Sequence, residues 1–128
     1  HDALPIYYMG VRMTATLSTH VLDTARGVPA AGLAIQLKRC SPDAALIGDF
    51  VTNADGRVDG GLLADGQATP GTYELTFHAG DYLRACGVIL AEPPFLDVIP
   101  IRFGLGASGH YHVPLLLSPY GYSTYRGS

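Results

Sequence analysis

Five histidines are spread along the 128 residues, and three of them, His20, His110 and His112, fall in stretches that read as strand. Histidine is the side chain suited to moving protons near neutral pH and to ligating metals, so their placement decides whether chemistry is present at all. His110 and His112 lie two apart and would share one face of a strand, which makes a metal pair geometrically possible. No third ligand is evident, and His110 at a loop end reads equally well as a solvated residue. The chain has no P-loop, no dinucleotide fingerprint and no HExxH helix. On pattern alone, His20 and His112 stand evenly between functional groups and ordinary surface histidines.

The elements that must position them follow from the alternation of apolar and polar residues. Residues 14–23 alternate so that Leu17, Thr19 and Val21 share one face while Ser18, His20 and Leu22 share the other. Residues 32–39 set Leu33, Ile35 and Leu37 against Ala34, Gln36 and Lys38, and residues 46–52 give a third strand. The turn Asn53-Ala54-Asp55-Gly56-Arg57 then closes on an Asp-Gly pair suited to positive φ and leaves Arg57 at its exit. A glycine-rich loop over residues 59–71 precedes a strand over residues 72–77. Asp81 is expected to cap a short helix that ends at Gly87. Strands are expected over residues 96–103, 110–118 and 122–126. In the second of these Tyr111, Val113, Leu115 and Leu117 share one face, with His112, Pro114 and Leu116 on the other. Seven or eight short strands with one helix predict an all-β, antiparallel β-sandwich.

Composition narrows the function classes. Charged residues are 15% of the chain, where about 25% is usual, and apolar residues are 48%, which points to surface buried against further copies. A formal net charge of -3 with no cluster of Lys and Arg argues against nucleic acid as a partner. No apolar run approaches the ~20 residues of a membrane span, and a cytoplasmic location with Cys40 and Cys86 reduced is expected. Residues 1–12 carry no period and are expected to be a non-native or disordered segment, with translation starting at Met9 or Met13 and the domain occupying residues 13–128.

The run His20-Val21-Leu22-Asp23-Thr24-Ala25-Arg26-Gly27-Val28-Pro29-Ala30 resembles the N-terminal signature of the transthyretin-like family, and residues 111–125 resemble its C-terminal one. With the Asn53 to Val58 turn and the Asp81 helix, the likeness runs from Leu17 to the end. The family divides into vertebrate thyroid-hormone carriers and 5-hydroxyisourate hydrolases. In the carriers the positions of His20, Arg57 and His112 hold Lys, Glu and Thr, and the chain does not end in Tyr-Arg-Gly-Ser. All of these positions here follow the hydrolase pattern, including Tyr125-Arg126-Gly127-Ser128.

The resemblance implies a transthyretin-like sandwich and a homotetramer built as a dimer of dimers. It also implies cofactor-free opening of the 5-hydroxyisourate ring by water. It assigns His20 as base or water-orienting group and His112 as its partner, with the two roles exchangeable. Arg57 pairs with the anionic substrate and the oxyanion, Ser128 joins the catalytic set, and Tyr125, Arg126 and Gly127 bind substrate. The rivals are a small-molecule carrier on the same fold and a β-sandwich adhesion or structural module.

Overall fold

The computed structural model describes residues 7–8, 11–12 and 14–127; Met9, Met13 and Ser128 lie outside the described residues. Two dipeptide strands, β1 (Tyr7–Tyr8) and β2 (Val11–Arg12), pair antiparallel at the start. There follow β3 (Ala15–Ser18), β4 (Val21–Asp23), β5 (Val28–Pro29), β6 (Ala34–Ser41), β7 (Ala45–Val51) and β8 (Gly71–His78). A helix, α1 (Ala79–Ala85), leads to β9 (Val98–Leu105), β10 (Gly109–His112), β11 (Leu115–Ser118) and β12 (Gly121–Thr124).

One layer is the antiparallel sheet β7-β6-β8-β9. The other is built from β12-β11-β4-β5 together with the pair β10-β3. There the chain twice runs from one strand into the next, β3 into β4 and β10 into β11, and the two paths lie parallel along their length. The expected strand over residues 14–23 is therefore two strands separated at Thr19 and His20, and that over residues 110–118 is two separated at Val113 and Pro114. Pro114 has no N–H to give, but none is required. In the parallel ladder its neighbours Val113 and Leu115 donate to the carbonyls of Ser18 and His20, each at 3.0 Å.

Alternation sorts the side chains as the pattern requires. Leu17, Val21, Leu115 and Leu117 pack inward against Ile35, Leu37, Tyr73, Leu75, Phe77 and Ile99, all buried. Burying an aliphatic or aromatic side chain of this size contributes about 1.5–3 kcal/mol each. Thr19 is also buried, and its hydroxyl donates to the Val113 carbonyl at 2.7 Å, which closes a polar gap in the core. Ser18, His20, Leu22 and His112 stay partly exposed on the opposite face.

The helix begins at Ala79, not at Asp81. His78 occupies the cap position without a side-chain bond, and Asp81 lies in the first turn, 3.6 Å from Arg84. β8 runs directly into the helix, so the buried Ala79, Gly80, Tyr82 and Leu83 set its start rather than the capping residue. Gly87, with φ of 86°, ends it as expected. The Tyr82 hydroxyl donates to buried Asp23 at 2.8 Å; burial first, and this carboxylate second, push the phenol well above its usual range. Among the described residues no helix is long and apolar enough to cross a membrane.

Candidate active site

The turn after β7 is what gives His20 its orientation. Asn53 holds it from within: its Oδ1 accepts the N–H groups of Asp55 at 2.9 Å and Arg57 at 3.0 Å. Gly56, with φ of 75°, presses so close to the Val21 carbonyl that any side chain would collide with that oxygen. In return the Gly56 carbonyl accepts the Val21 N–H at 2.8 Å, and His20 forms an isolated antiparallel bridge with Arg57. The turn is thereby tied across the gap between β3 and β4. It brings the Asp55 carbonyl to 2.8 Å from Nε2 of His20. A carbonyl only accepts, so Nε2 of the neutral ring carries the proton and Nδ1 keeps the lone pair.

His112 is held from the other strand path. Parallel pairing sets it opposite Ser18, whose Oγ lies 2.8 Å from its Nδ1. With Nδ1 engaged, Nε2 is the nitrogen left for a ligand. The tail folds back over this ring: the Gly127 N–H donates to the His112 carbonyl at 2.7 Å. A Cβ at position 127 would lie 2.7 Å from Cδ2 of the imidazole and 3.3 Å from its Cγ, so glycine is the residue that allows this approach. Burial holds His112 below its ordinary 6.5, and the neighbouring Arg57, His110 and His20 lower it further. The ring is therefore neutral at pH 7, and His20, Arg57 and His112 are near enough to act on one another.

The remaining predicted residues are distributed differently. Gly127 touches His112 directly, whereas Tyr125 and Arg126 line a cavity of about 210 Å³ with Ile101, Arg102, Phe103 and Tyr111. β12 ends at Thr124, so strand alternation does not extend to Tyr125. The Arg126 guanidinium carbon lies 4.1 Å above the Tyr111 ring, a cation–π contact on the side away from His112. Ser128 lies outside the described residues. His110 and His112 stack at 6.4 Å between ring centroids and share the Ser18 hydroxyl. Among the described residues no group of three or more His, Cys, Asp and Glu side chains converges to hold a metal.

Three participants were not singled out from the sequence: the Asp55 carbonyl, Ser18 and Thr16. Period two places Ser18 on the face of His20, but only the parallel register with β10 brings it to His112. Nothing in a one-dimensional pattern marks a backbone carbonyl.

A two-layer β-sandwich whose outer face carries two imidazoles and a guanidinium defines the class to which this protein is assigned. The HIUase/Transthyretin family model matches residues 17–127, and the chain belongs to that family. It is 62% identical over 114 residues, 88% of this chain and 95% of the relative, to 5-hydroxyisourate hydrolase 2 of Rhizobium meliloti (strain 1021). Among solved structures it is similar to the 5-hydroxyisourate hydrolase of Klebsiella pneumoniae, with TM-score 0.76 and 35% identity over 90% of this chain and 100% of that one. It is also similar to (S)-allantoin synthase, with TM-score 0.85 and 51% identity over 89% of this chain; the match spans 44% of that longer polypeptide.

Proposed function

We propose that this protein hydrolyses 5-hydroxyisourate, adding water to the C6 carbonyl and opening the six-membered ring to give 2-oxo-4-hydroxy-4-carboxy-5-ureidoimidazoline. Relatives bearing that activity's name support the substrate. The observation that carries the reading is the meeting of His20, Arg57 and His112 on one outer face, linked by the His20–Arg57 bridge and felt electrostatically at His112.

The chemistry follows from which nitrogen each ring leaves free. His20, with Nε2–H held by the Asp55 carbonyl, offers the Nδ1 lone pair to the attacking water. Arg57 is exposed and always charged, and it stabilises the anionic substrate and the oxyanion that forms at C6. His112 presents Nε2 to the departing ring nitrogen, and its neutral state at pH 7 lets it exchange protons there. In our reading Ser128, the next residue after Gly127, belongs to this site, with Tyr125 and Arg126 forming a wall contributed across a subunit boundary. That arrangement requires a homotetramer, a dimer of dimers, which the low charge content also favours.

The test is the absorbance decay of freshly generated 5-hydroxyisourate with purified protein, with and without chelator. Acceleration insensitive to chelator is expected. A rate equal to the uncatalysed decay overturns the proposal, and activity abolished by chelator and restored by zinc overturns the cofactor-free mechanism.

A further inference from the structure

Behind His112, on the side away from Arg57, lies a line of four side chains that the hydrolytic roles above do not use in full. Thr16 Oγ1 is 2.7 Å from Nδ1 of His110. Nε2 of His110 is 3.0 Å from Ser18 Oγ, and Ser18 Oγ is 2.8 Å from Nδ1 of His112. β3 supplies both hydroxyls and β10 both rings, in parallel register at His110↔Thr16 and His112↔Ser18. Period two on each strand places all four on one face, so the line is a product of the pairing itself.

A hydroxyl carries one proton and can donate to only one of the two rings. When Ser18 donates to His110, His112 must donate Nδ1–H to Ser18, and Nε2 of His112 is a bare lone pair. When Ser18 donates to His112, Nε2 of His112 carries the proton and His110 donates to Ser18. Uptake of one proton from solvent at Nε2 of His112 carries the line from the first arrangement to the second through two short transfers. His112 gives its Nδ1 proton to Ser18, and Ser18 gives its own to Nε2 of His110.

We infer that Ser18 and His110 form a proton relay behind His112, so that a proton taken up at Nε2 of His112 is stored as positive charge on His110. The proton count closes. One proton enters at Nε2 of His112, one moves along each of the two hydrogen bonds, and the line gains a single charge at the far ring. Return of that charge makes Nε2–H of His112 available to the departing nitrogen and restores the starting state. The relay rests on the hydrolase reading for its purpose, though its geometry stands apart from it.

The surroundings favour this division. His112 is half-buried and faced by Arg57 and His20 as well as by His110, so a charge there is disfavoured. His110 is exposed and lines an open depression with Thr16 and Ser18, where water can solvate a charge. The half-buried ring does the exchange, and the solvated ring holds the charge.

Full-length Ser18→Ala, Ser18→Thr and His110→Phe proteins, with imidazole 15N spectra recorded from pH 9 to pH 5, test the relay. In the unaltered protein His110 should become the charged ring while His112 remains neutral with its proton on Nε2. Ser18→Ala should abolish the response of His112 to protonation of His110 and lower kcat roughly 10-fold to 100-fold with KM nearly unchanged. His110→Phe should lower kcat similarly, and Ser18→Thr, which keeps the hydroxyl, should restore both spectrum and rate. Circular dichroism confirms that each variant is folded, and if Ser18→Ala is not, His110→Phe and Ser18→Thr carry the test. A charged His112 beside a neutral His110, unlike tautomers in the two neutral rings, or unaltered kcat in folded Ser18→Ala overturns the relay. Inactivity of the unaltered protein would instead sink the hydrolase reading, while the spectra would still decide whether the two rings are coupled.

Discussion

The two layers of the sandwich are made by the same alternation and do different things. In β7-β6-β8-β9 the strands run seven or eight residues without a break, and their inward residues, Ile35, Leu37, Tyr73, Leu75, Phe77 and Ile99, form one side of the core. Opposite them, β3 gives way to β4 at Thr19 and His20, and β10 gives way to β11 at Val113 and Pro114. His20, His110 and His112 all lie on these interrupted paths. Apart from register shifts at Leu37/Lys38 and Arg39/Ser41, ladder bonds occupy the backbone between neighbouring strands of that sheet, whereas a break in a strand lets another segment in. Here the Asn53 turn enters at His20 and the tail at Gly127 reaches His112. Stability and chemistry are thus divided between layers, with the shared strands β3, β4, β10 and β11 contributing an inner face to one and an outer face to the other.

Substitutions should separate the two roles. The largest expected effect is on the outer face: His112→Thr, His20→Lys and Arg57→Glu should each lower kcat/KM for 5-hydroxyisourate by roughly 10²–10⁴, with thermal unfolding little changed because none of the three side chains is buried. Phe77→Ala, in the continuous layer, should do the reverse. It should cost about 3–5 kcal/mol of stability in chemical denaturation and leave the activity of the folded fraction close to normal. If His112→Thr unfolds the protein, or Phe77→Ala leaves its stability intact, the division between layers is wrong.

A smaller and more pointed effect is expected where the tail meets the ring. Gly127→Ala forces a methyl against Cδ2 of His112, and the ring cannot retreat without losing Ser18. Activity should fall at least roughly tenfold, which corresponds to about 1.4 kcal/mol of transition-state stabilisation. Deleting residues 125–128, or fusing a tag directly after Ser128, should give a loss of at least similar size with β-sheet content retained in circular dichroism. Wild-type kinetics from the truncated protein would place the tail outside the site.

The smallest effect is in pH dependence. Burial, followed by Arg57, His110 and His20, holds the folded-state His112 below 6.5, so between that lowered value and 6.5 the unfolded chain binds more protons than the folded one. Stability should therefore be full above 6.5 and decline as pH falls through this window. Arg57→Gln removes one of the causes and should move the His112 titration upward in 15N spectra. A titration unmoved by that change would mean that Arg57 is too far away to share the site.

Much of this was legible in the chain itself. The alternation in residues 14–23 and 110–118 separates core from outer face correctly at Leu17, Val21, Leu115 and Leu117, because a two-residue period needs no knowledge of partners. The Asn53 to Arg57 turn and the Gly87 stop could be read because positive φ selects glycine locally. What the sequence could not state was who stands beside whom. The parallel register that sets Ser18 against both His110 and His112, the carbonyl of Asp55 that fixes the tautomer of His20, and the approach of Gly127 to an imidazole 15 positions away are relations between distant segments. The same holds for the start of α1 at Ala79, where burial against the sheet outweighed the local capping signal of Asp81. Local geometry is written residue by residue, but hydrogen-bond partnership across strands is decided only when the core has closed and fixed the register.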